Sequence, residues 1–373
     1  MILLPEPVQP LVSIVILAYN HLETTKRCID SLLLHTPMEG NEFILVNNGS
    51  SDGTQAYFDS ILGARAVHLL ENVGPVNGFN AGMNAAQGKY IALISNDMIL
   101  TADWLPNLLT CIESDSRIGF VSPGANYVSN YQQINLPFHT LEEMQLQAKA
   151  YNHSDPRKWE ERIRLMPVIL FSQTERLREI GGYDSRFYFG EFGDDDISYR
   201  YRRAGYKLIF AGDTFIYHHG SVTTGIDQRQ HNSLQVSRQI FHDKYGIDSW
   251  TEGLPNMQLV EELKARWSPK ASVSLLAINC CIGATPLAFK TFLEQQGASE
   301  VRLTSLSNQE KYMVDLRTVS ERSFYYETVA DLKWLLAGEQ FDYILFEHGY
   351  SEFERSGVSL ANYLLPSGHL VTN

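Results

Sequence analysis

Three successive carboxylates, Asp194-Asp195-Asp196, open the apolar-periodic segment Ile197–Ala204. Acids at a helix start complement the macrodipole and cap free N–H groups, and one acid meets that need. Three together repel one another unless a cation or a shifted pKa relieves them. The cluster is therefore a candidate for proton transfer or cation binding. Asp97 is a second candidate. It ends the triplet Ser95-Asn96-Asp97, directly after the apolar run Tyr90–Ile94. A carboxylate at the end of a buried strand is held rigidly, and can bind a hard cation that in turn binds a diphosphate. The plainer reading is a cap on the turn. His218-His219 end another strand-like run, and neutral imidazole ligates divalent metals. Two polar loops, Ala18-Tyr19-Asn20 and Asn47–Gly53, follow further apolar runs. Such loops at neighbouring strand ends can hold a base and a ribose, or serve as ordinary turns.

These residues need elements that bring strand ends to one edge. Val12–Leu17 is a β-branched run typical of a buried central strand. Phe43–Val46, Ala66–Leu69, Tyr90–Ile94, Gly119–Ser122, Met166–Phe171, Lys207–Ala211 and Phe215–His218 read as further strands. Between them, helical spacing predicts helices over 21–35, 53–62, 79–86, 104–113, 175–180 and 197–204, with another over 231–245. Asp52 is placed to cap the second of these. Segment 140–164 has a long charged helical pattern broken near Pro156, and Gly181-Gly182 stops the helix before it. Strand–helix alternation with short connections predicts an α/β fold with a mostly parallel central sheet.

The chain has 373 residues, is 44% hydrophobic and carries a net charge of −13, which argues against a nucleic-acid partner. Four cysteines form no C-x-x-C and no disulfide framework, which favours a reducing, cytoplasmic setting. The proline-interrupted N-terminus lacks a basic region and does not read as a signal peptide. No apolar run is long enough to span a bilayer, so no transmembrane segment is expected.

The motifs VSIVILAYN, VNNGSSDGT, ENVGPVNGFNAGMNAAQGKYIALISND, GGYDSRF, GDDDISYRYRRAGYK and YHHGS follow one another in this order over residues 11–225. That ordered set resembles the family 2 glycosyltransferases of GT-A fold. The resemblance implies an inverting enzyme that moves a sugar from a UDP- or dTDP-sugar to a hydroxyl on a glycan or glycoconjugate acceptor, in polysaccharide or glycoconjugate synthesis. It implies a divalent cation, Mn2+ or Mg2+, as cofactor. Position by position, it implies nucleotide contacts from Ala18, Tyr19, Asn20, Asn47, Asn48, Asp52, Asn77 and Asn96. It implies metal ligation by Asp97 with His218 or His219, and a catalytic base at Asp194, with Asp195 as the alternative. The sequence departs from the family at three points. Amide Asn47 and hydroxyl Ser95 stand where acids are usual, and Gly193 stands where a glutamate is usual. These departures motivate two rival expectations, a non-catalytic nucleotide- or sugar-binding module and a sugar-nucleotidyltransferase-like enzyme.

Trp267–Lys270 reads as a boundary, giving a GT-A domain over 1–267 and a small α/β, Rossmann-like unit over 268–373. Its strand-like runs are Ser272–Ile278, Glu300–Thr304, Tyr343–Glu347 and Gly368–Thr372, with helices over 286–296 and 329–336. It faintly resembles the nucleotide-binding half of a methyltransferase, although its first turn, Asn279–Thr285, has only Gly283. The chain stops inside a strand-like run, so truncation is an expectation.

Overall fold

The computed structural model describes residues 2–4, 7–220 and 231–373. Ser221, the last residue of the YHHGS motif, lies outside them. The chain divides into two compact units, one of residues 1–159 and 164–244, the other of residues 160–163 and 245–373.

The first unit is built on β1 (Val12–Ala18), α1 (Leu22–His35), β2 (Asn41–Asn48), β3 (Arg65–Leu69), α2 (Pro75–Ala85), β4 (Tyr90–Ser95) and the two-residue strand β5 (Met98–Ile99). There follow α3 (Trp104–Glu113), β6 (Ile118–Ala125), α4 (Leu141–Tyr151), β7 (Ile169–Gln173), α5 (Thr174–Glu179), α6 (Gly193–Arg203), β8 (Lys207–His218) and α7 (Ser233–Tyr245). The sheet order is β3-β2-β1-β4-β7-β6-β8-β5. Strands β3, β2, β1 and β4 run parallel, with Val12 opposite both Asn41 and Tyr90. Strand β7 then runs antiparallel to β4 and β6, with Ile169 opposite Ile94. The architecture is the expected α/β class with a mostly parallel sheet: β6 and β8 again run parallel, and the reversed strands are β7 and the short β5. The reversal of β7 leaves no mark in the sequence. A buried strand has the same apolar pattern in either direction, so Met166–Phe171 could not announce its reversal.

Every residue of β1 and β2 is buried, as a strand covered on both faces requires. On one face, Ile14, Ile16 and Leu45 pack with Cys28, Ile29 and Leu32 of α1. On the other lies α2. Its interior glycines weaken it as a helix, yet a Cβ on Gly78 would fall 2.5 Å from Leu17 and one on Gly82 2.3 Å from Val15. Glycine is what lets this helix lie against the sheet. The switch point of the parallel half falls between β1 and β4, whose carboxyl ends are Ala18 and Ser95. The long 140–164 pattern is α4 alone; Asn152 ends it, and Trp159–Arg162 is extended.

In the second unit, α8 (Met257–Ala265), β9 (Ser272–Ile278), α9 (Ala284–Gln295), β10 (Glu300–Ser307), α10 (Met313–Val319), β11 (Arg322–Tyr325), β12 (Phe341–Phe346) and β13 (Leu364–Thr372) form a wholly parallel sheet of order β11-β10-β9-β12-β13 with its helices. The expected break at 267/268 moves to 244/245. Leu259, Val260 and Leu263 bury the apolar face of α8, which packs on α9 within this unit. Among the described residues, no helix is long and apolar enough to cross a membrane.

Candidate active site

A cavity of about 850 Å³ opens at the carboxyl ends of β1, β2 and β4, the edge where ligands collect in such sheets. Tyr19, Asn48, Asn96, Asp97, Asp194 and His218 all reach it, together with Ser95. Ala18, Asn20, Asn47, Asp52, Asn77, Asp195 and His219 do not line it. Several of these are spent on building the rim. Asn20 Oδ1 accepts from the Ser51 N–H at 2.9 Å, and Asn47 Oδ1 from that of Ser50 at 2.9 Å. Asp52 accepts from the N–H of Leu22 at 2.8 Å and from both N–H and hydroxyl of Thr54, joining the starts of two helices. Asn77 Nδ2 donates to the Val73 carbonyl at 2.8 Å. Turn formers in the sequence are turn formers in the fold.

Asn48 shows how a rim residue reaches inward. Its amide donates to Asn72 Oδ1 at 2.9 Å while its oxygen accepts from the Val73 N–H at 3.0 Å, locking the loop that leads into α2. Asn96 donates to Thr25 Oγ1 at 2.8 Å.

Strand β5 sets the first functional pair. It pairs antiparallel with the end of β8, placing Met98 opposite His218, and the His219 N–H donates to the Asp97 carbonyl at 3.0 Å. This ladder brings His218 Nε2 to 3.1 Å from Asp97 Oδ2. His218 Nδ1 lies 2.6 Å from the Tyr127 carbonyl, and Asn126 fixes the His218 backbone through two hydrogen bonds. Both ring nitrogens thus face oxygen acceptors. An imidazolium satisfies that geometry, and so does a cation between ring and carboxylate. Burial opposes the charged ring, but the hydrogen bond and charge of Asp97 raise the His218 pKa overall. Asp97 Oδ1 is buried without a hydrogen-bond partner among the described residues. An orphaned carboxylate oxygen beside an imidazole fits a divalent cation. Among the described residues, no three His, Cys, Asp or Glu side chains form a closed metal cage. Asp97 and His218 offer two donors. His219 contributes its backbone here, and its ring does not line the cavity.

The three aspartates separate. They occupy the first turn of α6, so each points a different way. Asp195 is fully buried against Arg164. Asp196, also fully buried, pairs with Arg200 at 2.8 Å and Lys244 at 2.5 Å. Asp194 alone reaches the cavity. Its Oδ1 accepts from the Tyr183 hydroxyl at 3.0 Å. Burial raises its pKa, the Tyr183 hydrogen bond opposes that, and the charges of Asp195 and Arg164 act in opposite directions. The carboxyl is pushed up to about 7. A base poised there accepts a proton at neutral pH and holds it well enough to matter. The cations that relieve the cluster are the protein's own, on two of its three members. Gly193, where the resemblance implied a glutamate, also gains a reason: a Cβ there would sit 3.1 Å from Val76 of α2.

Sequence reasoning missed the wall opposite the rim. Tyr127 and Gln133 come from a stretch with no clear period, and Phe79, Tyr183, Phe189 and Glu191 read as helix and aromatic turn. The Gly-Gly-Tyr-Asp motif was the available signal for Tyr183.

The described unit is thus an α/β domain with one large cavity at its switch point, lined by an acid–imidazole pair and a raised carboxylate. Residues 13–169 match the model for Glycosyl transferase family 2. A protein from Sinorhizobium fredii, y4gI, is 25% identical over 256 residues, which cover 63% of this chain and 27% of that one. Glycosyltransferase AglE of Haloferax volcanii is 25% identical over 212 residues, 55% of this chain and 65% of its own. The chain therefore spans less than two thirds of either relative. Among solved structures, GalNAc-T7 with UDP, GalNAc and Mn2+ superposes with a TM-score of 0.46 at 16% identity, covering 57% of this chain and 44% of that one.

Proposed function

We propose that this protein is an inverting glycosyltransferase. It moves a sugar from a UDP- or dTDP-sugar to a hydroxyl of a glycan or glycoconjugate acceptor, in cytoplasmic polysaccharide or glycoconjugate assembly. One observation carries the reading: Asp97 with His218, and Asp194, reach the same cavity at the carboxyl edge of the parallel strands. The family match over residues 13–169 supports it.

In this reading the nucleoside lies along Tyr19, Asn48 and Asn96. A divalent cation, Mn2+ or Mg2+, held by Asp97 and His218 would neutralise charge on the donor's diphosphate. Asp194 accepts the proton of the acceptor hydroxyl as that oxygen forms its bond to the anomeric carbon. The bond from that carbon to the diphosphate oxygen breaks, and its electron pair leaves with the nucleoside diphosphate. Attack opposite the leaving group inverts the centre.

The test is a panel of UDP-, dTDP- and GDP-sugars, each assayed for binding and for hydrolysis with and without Mn2+. Cation-dependent hydrolysis of one donor, releasing the sugar with inverted anomeric configuration, is expected. Binding without turnover on any donor would give the non-catalytic module. Release of pyrophosphate from a sugar phosphate and a nucleoside triphosphate would give the nucleotidyltransferase.

A further inference from the structure

We propose that Tyr183, clamped by Asn80, is the positioning residue that fixes the Asp194 carboxylate for proton transfer, an inference that rests on the glycosyl-transfer reading. Among the described residues, the Tyr183 hydroxyl is the hydrogen-bond partner of the Asp194 side chain, 3.0 Å from Oδ1. With one oxygen so held, Oδ2 is left to receive the proton. The tyrosine is itself held at three points. Asn80 Oδ1 accepts from the Tyr183 N–H at 2.8 Å, and Asn80 Nδ2 donates to the Tyr183 carbonyl at 2.8 Å. The Tyr183 ring stacks on Phe79, with centroids 5.9 Å apart and planes 26° from parallel.

This clamp needs the glycine before it. Gly182 has φ +63°, and a Cβ there would lie 2.5 Å from Asn80 Oδ1 and 2.8 Å from Met83 Cε. Any side chain would push Asn80 off Tyr183. The Gly-Gly pair ends a helix, as its sequence suggests, and also gives α2 close access to the turn. Asn80 and Phe79 belong to α2, whose first residues, Pro75 and Val76, line the same cavity as Asn72 and Asn48 on the nucleotide side. One helix therefore carries both a donor wall and the support of the base. The logic is that of a catalytic triad, in which a group orients the proton acceptor without touching substrate.

The groups that face Asp194 are Asp195 on its own helix, Arg164 from the segment before β7, and Tyr183. Arg200 and Tyr201 face the tyrosine, and Glu191 lines the same cavity. Of these, Tyr183 alone donates a hydrogen bond to the Asp194 carboxylate, so its removal has a sign of its own: the acid form gains.

The experiment uses the full chain with 13C-carboxyl aspartate, the Asp194 signal being assigned with D194N, and needs no substrate. In Y183F the Asp194 midpoint rises by about 0.5 or more relative to wild type. N80A moves it the same way. Where a nucleotide-sugar is hydrolysed, both variants lower kcat roughly tenfold and leave the donor KM unchanged. An unmoved midpoint in folded Y183F overturns the proposal. Should Y183F not fold, 13Cζ-tyrosine spectra decide: one tyrosine signal follows the Asp194 titration in wild type and is flat in D194N, and no such signal overturns the proposal. A moved midpoint with no donor hydrolysed by wild type defeats the glycosyl-transfer reading and leaves the Tyr183–Asp194 linkage standing.

Discussion

His218 Nε2 lies 3.1 Å from Asp97 Oδ2, and the two residues are 121 apart in the chain. A two-residue strand makes the meeting possible. D97A removes the oxygen pair at this point, so Mn2+-dependent binding of UDP or dTDP weakens at least tenfold, or about 1.4 kcal/mol. Calorimetry with and without Mn2+ measures it. H218A moves the same way. Unchanged cation dependence in both would leave Asp97 as a turn residue and His218 as its partner only.

D194N keeps the size of the side chain but cannot take a proton. Transfer or hydrolysis falls by ~10²–10⁴-fold while donor binding stays within about twofold. Wild-type activity rises with pH through about 7, because the base must be ionised. A pH–rate profile without an acid limb in that region would remove Asp194 as the base.

Stability carries the opposite sign. Asp194 rises from 3.8 to about 7 on folding, so between those values the folded chain holds a proton that the unfolded chain has lost. Stability is present below that window and declines as pH rises through it. D194N cannot ionise, so its Tm exceeds that of wild type at pH 8 and the gap closes towards pH 4. Thermal melts at the two pH values check this.

R164M leaves Asp195 without its buried guanidinium. Breaking a buried ion pair from one side costs ~3–5 kcal/mol. Chemical denaturation should show that loss. A surface-sized effect, under ~1 kcal/mol, would mean the pair is weakly coupled.

A chain ending at 270 retains α8 without α9, exposing Leu259, Val260 and Leu263. A chain ending at 244 does not. The longer piece should therefore aggregate more readily at equal concentration, read by size-exclusion chromatography. The reverse result would restore the boundary to 267/268.

Much of this was legible in the chain. The runs at Val12, Phe43 and Tyr90 announced buried strands because burial leaves a compositional trace. Asp97 and Asp194 stood out because acids at the ends of apolar segments are conspicuous. Long-range pairing leaves no such trace. Nothing local to Met98-Ile99 shows that it joins β8, and nothing in Asp194-Asp195-Asp196 says which carboxylate meets Arg164. Tyr183 sat in a visible Gly-Gly-Tyr-Asp motif, but its partner was hidden for the same reason. Its phenol matters only because α2 and α6 converge on it, and neither helix is near it in the pattern of residues that sequence reading uses.

The first turn of α6 has a consequence for insertions and deletions. Loops of a fold usually accept an extra residue, since chain length there is weakly constrained. The turn 187–192 is an exception. One residue more or fewer that shifts the helix phase turns its first turn by about 100°. With Gly193 in the direction of Asp194 no carboxylate reaches the cavity, and with Asp195 there Ile197 takes the place of Asp196 against Lys244. The three aspartates are a dial with one usable setting, and the length of this turn is what sets it.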